Sequence, residues 1–331
     1  MKRLLTIVMI SLVALSAPGA LLAKTSVQQL KEPVRNMAEY DLVFGEILDQ
    51  GNAVVPDLMA LLQEETPASN TDAAKKHWAA KVTAMNVLSE LKAQDALVIL
   101  KDMLENSDDL SAINNAARTI GNIGGNNAFK ILEAVLINAG ASRYAENNAE
   151  RKKAVILAMG LCDNKKAVPY LMGELNDPHN DEVTRIYAAG SLGLLAVKDG
   201  LDTAAGGLNS ADPYVRMAAI RALGVIGSAN SLPALKGLTG NNVDYVYRKS
   251  ANAAIFQIKT AQLPDDKKPA FIRQNLMENP GSTEFVQWGT LKLKKLGTPA
   301  AKKALLEMAA LDDPDYGVLK SAAKARAKRM K

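Results

Sequence analysis

The chain repeats itself, and self-similarity at a fixed period limits the fold more than any other feature of the sequence. Asp212-Pro-Tyr-Val-Arg-Met-Ala-Ala-Ile-Arg-Ala-Leu-Gly-Val-Ile-Gly227 has a close copy in Asn114-Asn-Ala-Ala-Arg-Thr-Ile-Gly-Asn-Ile-Gly124. Asp181-Glu-Val-Thr-Arg185 and Asp244-Tyr-Val-Tyr-Arg248 open two more, and weaker copies run over 79–91, 153–162 and 286–297. Aligned on their last residues, the segments end at 51, 92, 124, 163, 196, 227, 259 and 297, in steps of 31 to 41 residues. Within a segment the apolar residues fall at helical spacing: Val215, Ala218, Ala219, Ala222, Leu223 and Ile226. Asp212 stands where an N-cap is needed, Pro213 at the first helical position, and Gly227 where a left-handed residue ends a helix. A second apolar segment follows each first one, with proline near its start, as in 54–62, 167–175, 231–238 and 298–306. No strand-like alternation recurs. The expectation is an all-α chain, an α-solenoid of about seven to eight helical hairpins.

These residues resemble the HEAT repeat family, and in particular the bacterial HEAT-like repeats also found in phycobilin lyases. The family's pattern is Asp-x-x-Val-Arg, then Ala-x-x-Ala-Leu-Gly-x-Ile-Gly, then a Pro-x-Leu second helix, and residues 212–238 follow it closely. The resemblance spans about 34–316 and is strongest over 111–260; Phe256 departs from it by taking a glycine position. It implies a fold and not an activity, since function lives in sites grafted on folds. It also implies that second helices line a concave side, which makes the surface of 57–62, 170–175, 234–238 and 302–306 a candidate contact strip.

The ends of the chain read differently from its middle. Met1-Lys2-Arg3 precedes an apolar run over 4–15 and small residues to Ala23. That is the order of a secretory signal peptide, cleaved after Gly19 or Ala23, and the run is short of the roughly 20 residues of a transmembrane helix. No cysteine follows it, so no lipoprotein anchor is expected. The chain divides into a signal peptide (1–23), the repeat solenoid (24–316) and a basic C-terminal capping helix (317–331). The product is expected to be exported, periplasmic in a bacterium or otherwise secreted.

Chemistry is sparse. One cysteine excludes an internal disulfide framework, and two histidines make a multi-His metal centre improbable. Cys162 ends an apolar stretch and reads as a small core residue. His77 and His179 stand two to three repeats apart and read as exposed surface histidines. Deoxyhypusine hydroxylase, an enzyme family on the same repeat, holds two irons with paired His-Glu motifs; here His77 precedes Trp78 and His179 precedes Asn180. Gly121-Asn-Ile-Gly-Gly125 has no strand before it and reads as a helix end. No catalytic residue, cofactor or metal ligand is assigned, and the chain is read as a non-enzyme.

Three recurrent pairs, Asp181 with Arg185, Asp212 with Arg216 and Asp244 with Arg248, have i to i+4 spacing and are expected to stack as a structural ladder. Tyr170, Tyr214, Tyr245 and Tyr247 are candidate protein contacts, and Tyr245 and Tyr247 cannot both face inward. The formal charge of +5 hides an asymmetry. Residues 25–110 hold 7 basic and 15 acidic groups, and residues 236–331 hold 18 and 9. The tail residues Lys320, Lys324, Arg326, Lys328, Arg329 and Lys331 form a candidate anionic contact, with a polar capping helix as the favoured reading. Since the excess positive charge lies in the export signal and the tail, nucleic acid is disfavoured as a partner. The expected function is an exported scaffold or adaptor that binds another protein through the solenoid surface. A lyase-like or ligand-binding protein, and a binder of anionic membrane surface through the tail, are the alternatives.

Overall fold

The computed structural model describes residues 27, 29–32, 37–67, 71–138 and 147–330. The expected signal peptide, the centres of the loops at 66–71 and 140–148, and Lys331 lie outside the described residues. Among the described residues the secondary structure is wholly helical. The helices are α1 (Met37–Asp49), α2 (Val55–Gln63), α3 (Asp72–Leu91), α4 (Leu97–Asn106), α5 (Leu110–Ile123) and α6 (Gly125–Ile137). Next come α7 (Asn148–Leu161), α8 (Val168–Asn176), α9 (Glu182–Leu194), α10 (Leu201–Gly206), α11 (Pro213–Ile226) and α12 (Leu232–Gly237). The last five are α13 (Tyr245–Gln262), α14 (Lys268–Glu278), α15 (Thr283–Leu296), α16 (Pro299–Ala309) and α17 (Gly317–Ala327). Odd numbers are first helices and even numbers second helices, so among the described residues eight hairpins precede one final helix.

The turn that closes each first helix explains the register. Gly51, Lys92, Gly124, Asp163, Ala196, Gly227 and Gly297 all have positive φ, between 51° and 72°. These are seven of the eight aligned segment ends. Three are not glycine, so a left-handed stop is imposed there at some steric cost. The eighth expected end, Lys259, lies inside a helix: α13 runs on to Gln262 and stops before Leu263-Pro264. Proline disfavours helix in the residue before it, and no left-handed residue intervenes earlier.

Successive first helices from α3 to α13 pack directly against one another, while second helices touch each other only sparsely along the same stretch. Glycine allows the close approach. A Cβ on Gly121 would lie 2.5 Å from the Ala158 carbonyl oxygen, on Gly160 2.7 Å from Ser191 Cα, on Gly193 2.9 Å from Ile226 N, and on Gly224 2.9 Å from Ala254 Cα. One glycine in each of α5, α7, α9 and α11, three residues before the positive-φ turn, thus sets the spacing of the row there. In a curved stack the tighter row is the inner one. The concave side is therefore formed by first helices, and the strip at 57–62, 170–175, 234–238 and 302–306 belongs to the outer row, contrary to the expectation above.

Phe256 occupies that glycine position on α13 and ends the tight row. Its ring stacks on Phe285 at 5.1 Å and meets Trp288 edge-on at 5.1 Å, both on α15. One hydrophobic core runs from Val27 to Ile258 and a second from Phe256 to Met330. The row then closes on itself. Helix α17 packs on α15 and α16 and also reaches α1, and α1 packs on α3. Lys294 Nζ on α15 lies 2.5 Å from Glu90 Oε2 on α3, and Lys328 pairs with Asp49 of α1. Arg329 lies over the Phe44 ring, 5.4 Å from its centre. The acidic N-terminal and basic C-terminal stretches meet at this seam.

Candidate functional site

The solvent-facing residues of the first helices form the concave surface, and its middle is apolar. Counting back from each aligned segment end from 92 to 297, the second position holds Glu90, Asn122, Leu161, Leu194, Val225, Gln257 and Lys295. The sixth holds Asn86, Arg118, Leu157, Gly190, Arg221, Ala253 and Leu291. Arg118 donates to Asn86 Oδ1 at 3.2 Å, which shows that equivalent positions of neighbouring repeats are adjacent. Leu157 and Leu194 keep 39% and 45% of their surface exposed, high for leucines in a helical array. Leu161 and Val225, half-buried, extend the strip.

At the N-terminal end of the same face the helices open into a groove of about 440 Å³. Its walls include Glu150, Lys153, Asp181, Glu182, Tyr187 and Tyr214. Tyr214 is 80% exposed, and Tyr245, one repeat on, is 66% exposed with Val246 beside it. Lys153 reaches Glu150 at 2.9 Å and Asp181 at 3.1 Å and so joins two repeats. Burial opposes charge on both Lys153 and Asp181. The bonds and charges overcome it, raising the ammonium and holding the carboxyl low.

The expected Asp–Arg ladder takes another form. Asp181, Asp212 and Asp244 each turn their carboxylate to a backbone N–H at the start of the helix: Thr184 at 2.6 Å, Tyr214 at 2.7 Å and Val246 at 2.8 Å. A carboxylate held at the N-cap points away from the guanidinium four residues on. None of the three i to i+4 pairs is an ion pair among the described residues. Arg216 instead donates to the Ser210 carbonyl at 2.6 Å and to the Tyr247 hydroxyl at 2.9 Å, and its guanidinium lies 5.1 Å from the Tyr247 ring centre. Arg248 lies 5.8 Å from the Tyr245 ring centre. Arg185 is half-buried, with its Nε unpaired. Tyr247 is thus a structural partner of Arg216, and Tyr245 faces solvent, as their adjacency required.

Tyr170 is separated from the other three. It sits on α8 in the outer row, edge-on to Phe129, and its hydroxyl donates to Glu133. The tail residues are largely engaged within the chain: Lys328 with Asp49, Arg326 with Gln287 Oε1 at 2.9 Å, Lys320 with Asp312 at 3.5 Å and Arg329 with Phe44. Lys324 is exposed. The apolar face of α17 is buried through Leu319, Ala322, Ala323 and Ala327. Two of the described tail cations, Lys320 and Lys328, thus pair with acids of the chain itself.

Cys162 is buried with its Sγ 3.0 Å from the Met159 carbonyl, and burial pushes its thiol up. His179 is exposed. His77 differs from the expectation: its side chain is mostly buried against Glu64, and burial, then the Lys81 charge, lowers its pKa. Lys81 is itself buried and donates to the Glu64 carbonyl at 2.5 Å, at the end of α2. Leu157, Leu194 and Val246 were missed by sequence reasoning. They were legible as apolar residues off the core stripe, at equivalent places in neighbouring repeats.

A family model for HEAT repeats matches residues 178–255. Among solved structures, the chain is similar to the complex of CpcE and CpcF of phycocyanin lyase from Nostoc sp. PCC7120, at 18% identity and a TM-score of 0.47, over 78% of this chain and 94% of that one. It is also similar to human deoxyhypusine hydroxylase, at 13% identity and a TM-score of 0.37, over 94% and 97%. Neither likeness bears on what this chain does. No curated protein matches. Helices α9 and α11 and the first part of α13, which carry Tyr214, Tyr245 and half of the apolar strip, fall in the matched stretch, and residues 178–255 are HEAT repeats.

Proposed function

We propose that the protein is an exported, non-catalytic scaffold that binds another protein through the concave face of its first helices. The observation that carries this reading is the run of exposed apolar residues on that one face: Leu157 and Leu194 in the middle, Tyr214 and Tyr245 at the edge. Contiguous apolar surface of this kind, rimmed by charge, marks interaction sites. Tyrosine supplies large contact area at low entropy cost and a hydroxyl for the wet rim. Export rests on the N-terminal sequence pattern.

The test compares variants on the two rows. Leu194→Glu puts a charge in the middle of the concave strip, and Val98→Glu puts one on the outer row, where Val98 is 75% exposed. Both are surface changes and leave stability within about 0.5 kcal/mol. Affinity capture from the native cell envelope is expected to enrich a partner with the parent chain and with Val98→Glu, and to lose it at least ten-fold with Leu194→Glu. Retention by Leu194→Glu with loss on Val98→Glu would move the site to the outer row.

A further inference from the structure

The seam that closes the helix row has a composition unlike any other junction in the molecule. Between α3 and α13, neighbouring repeats share one continuous apolar core. Across the seam they share none: Ile47 and Leu48 of α1 belong to the first core, and Leu319, Ala322, Ala323 and Ala327 of α17 belong to the second. Besides the direct approach of α17 to α1, charged side chains join the two sides. Lys328 meets Asp49, Lys294 meets Glu90, and Arg329 lies over Phe44. Burial would raise the Glu90 carboxyl, but the Lys294 bond and charge, with Arg326 and Arg329 behind it, hold it low. The seam also contains repulsion: burial, followed by the nearby charge of Lys295, lowers the Lys92 ammonium.

The opposite boundary of the C-terminal unit has the features of a pivot. Helices α13 and α14 pack on each other only lightly and are joined by Leu263-Pro-Asp-Asp-Lys267. Phe256, where the glycine spacing fails, holds the junction through Phe271, Phe285 and Trp288. Helices α14 to α17 thus have their own core, a continuous attachment on one side and a charged attachment on the other.

We infer that the C-terminal unit, α14 to α17, is a clasp that swings about the Phe256 cluster and is held shut on α1 and α3 by charge pairing. In the shut state it completes the ring around the concave face. In the open state it widens the entry to that face. The distribution of charge in the sequence follows from this: an acidic first quarter and a basic last quarter are drawn together over a distance that local structure does not span. Partly exposed ion pairs are weak singly and are screened by salt, so a clasp made of them is reversible.

The test uses the full chain with spin labels at Gln63→Cys on α2 and Lys303→Cys on α16, both exposed positions, while Cys162 is buried. In about 0.15 M salt, where the screening length is about 8 Å, one short distance is expected. In about 1 M salt, where it is about 3 Å, a longer distance appears. Lys328→Glu raises the longer-distance population several-fold at the lower salt, and adding Asp49→Lys restores the short one. Helix content by circular dichroism stays constant throughout. A short distance that neither salt nor charge reversal moves overturns the clasp, because the seam is then held by packing. Opening that the Lys328–Asp49 swap does not reverse, or that is accompanied by loss of helix, overturns it as well.

Discussion

Gly121→Ala is expected to destabilise the protein by about 3 kcal/mol, while Gly173→Ala stabilises it by about 0.5–1 kcal/mol. Both glycines are inside helices, and propensity alone would favour alanine at both. They differ in what faces them. The Cβ added at 121 would stand 2.5 Å from the backbone oxygen of Ala158 on the next first helix, and a backbone cannot step aside as a flexible side chain can. The Cβ added at 173, on the outer helix α8, meets nothing within 4 Å. Urea unfolding of the two variants reads the difference as opposite shifts in midpoint. If Gly121→Ala were neutral, the first helices would not be the tight inner row, and the assignment of the concave face would fail with it.

Arg151→Met is expected to cost about 3–5 kcal/mol, although methionine is nearly as long and a good helix former. Arg151 on α7 is 1% exposed. Its Nε donates to the Leu104 carbonyl at 2.8 Å and one Nη to the Ser107 carbonyl at 3.0 Å, both at the end of α4, and the other Nη to Asn148 Oδ1 at 2.9 Å. The last carbonyls of a helix lack partners of their own and carry the negative end of its dipole. A buried guanidinium satisfies two of them at once and ties α7 to a hairpin two repeats before it. Arg151→Lys keeps the charge but has no fork, so it recovers only part of the loss. Arg118→Ala, a change in an exposed arginine that bonds Asn86 and Asn115, is the control and stays within about 0.5 kcal/mol.

The repeat register was legible in the sequence at seven of the eight aligned ends, Lys259 being the exception. Those ends coincide with positive-φ residues even at Lys92, Asp163 and Ala196, where residue type alone would not have suggested such a turn. Alignment succeeds there because each turn must restart the same hairpin, whichever residue bears the strain. The roles of the recurrent Asp and Arg were legible only in part. An aspartate before a helix can cap it or pair with an arginine one turn on, and capping contributes about 1 kcal/mol against a few tenths for the pair. The sense of curvature was not legible from the core stripe, which says which face is buried and not which row is closer. Gly121, Gly160, Gly193 and Gly224, three residues before their turns, held that information, and Phe256 marked where the spacing changes. Closure was the least legible feature. Pairs such as Lys294 with Glu90 join residues 204 apart, and no local pattern encodes them; the opposed charges of the two ends were their only trace.

Zero-length carbodiimide coupling of the native monomer, followed by peptide mass spectrometry, tests the closed architecture most directly. The reagent joins lysine to carboxylate only where the two already touch. Lys153 with Asp181, a pair between neighbouring repeats, is the internal standard. The account predicts that Lys294–Glu90 and Lys328–Asp49 links form within one chain alongside it, as the two seam pairs require. A monomer that yields the Lys153–Asp181 link and neither seam link would be an open solenoid, and that result would contradict the ring.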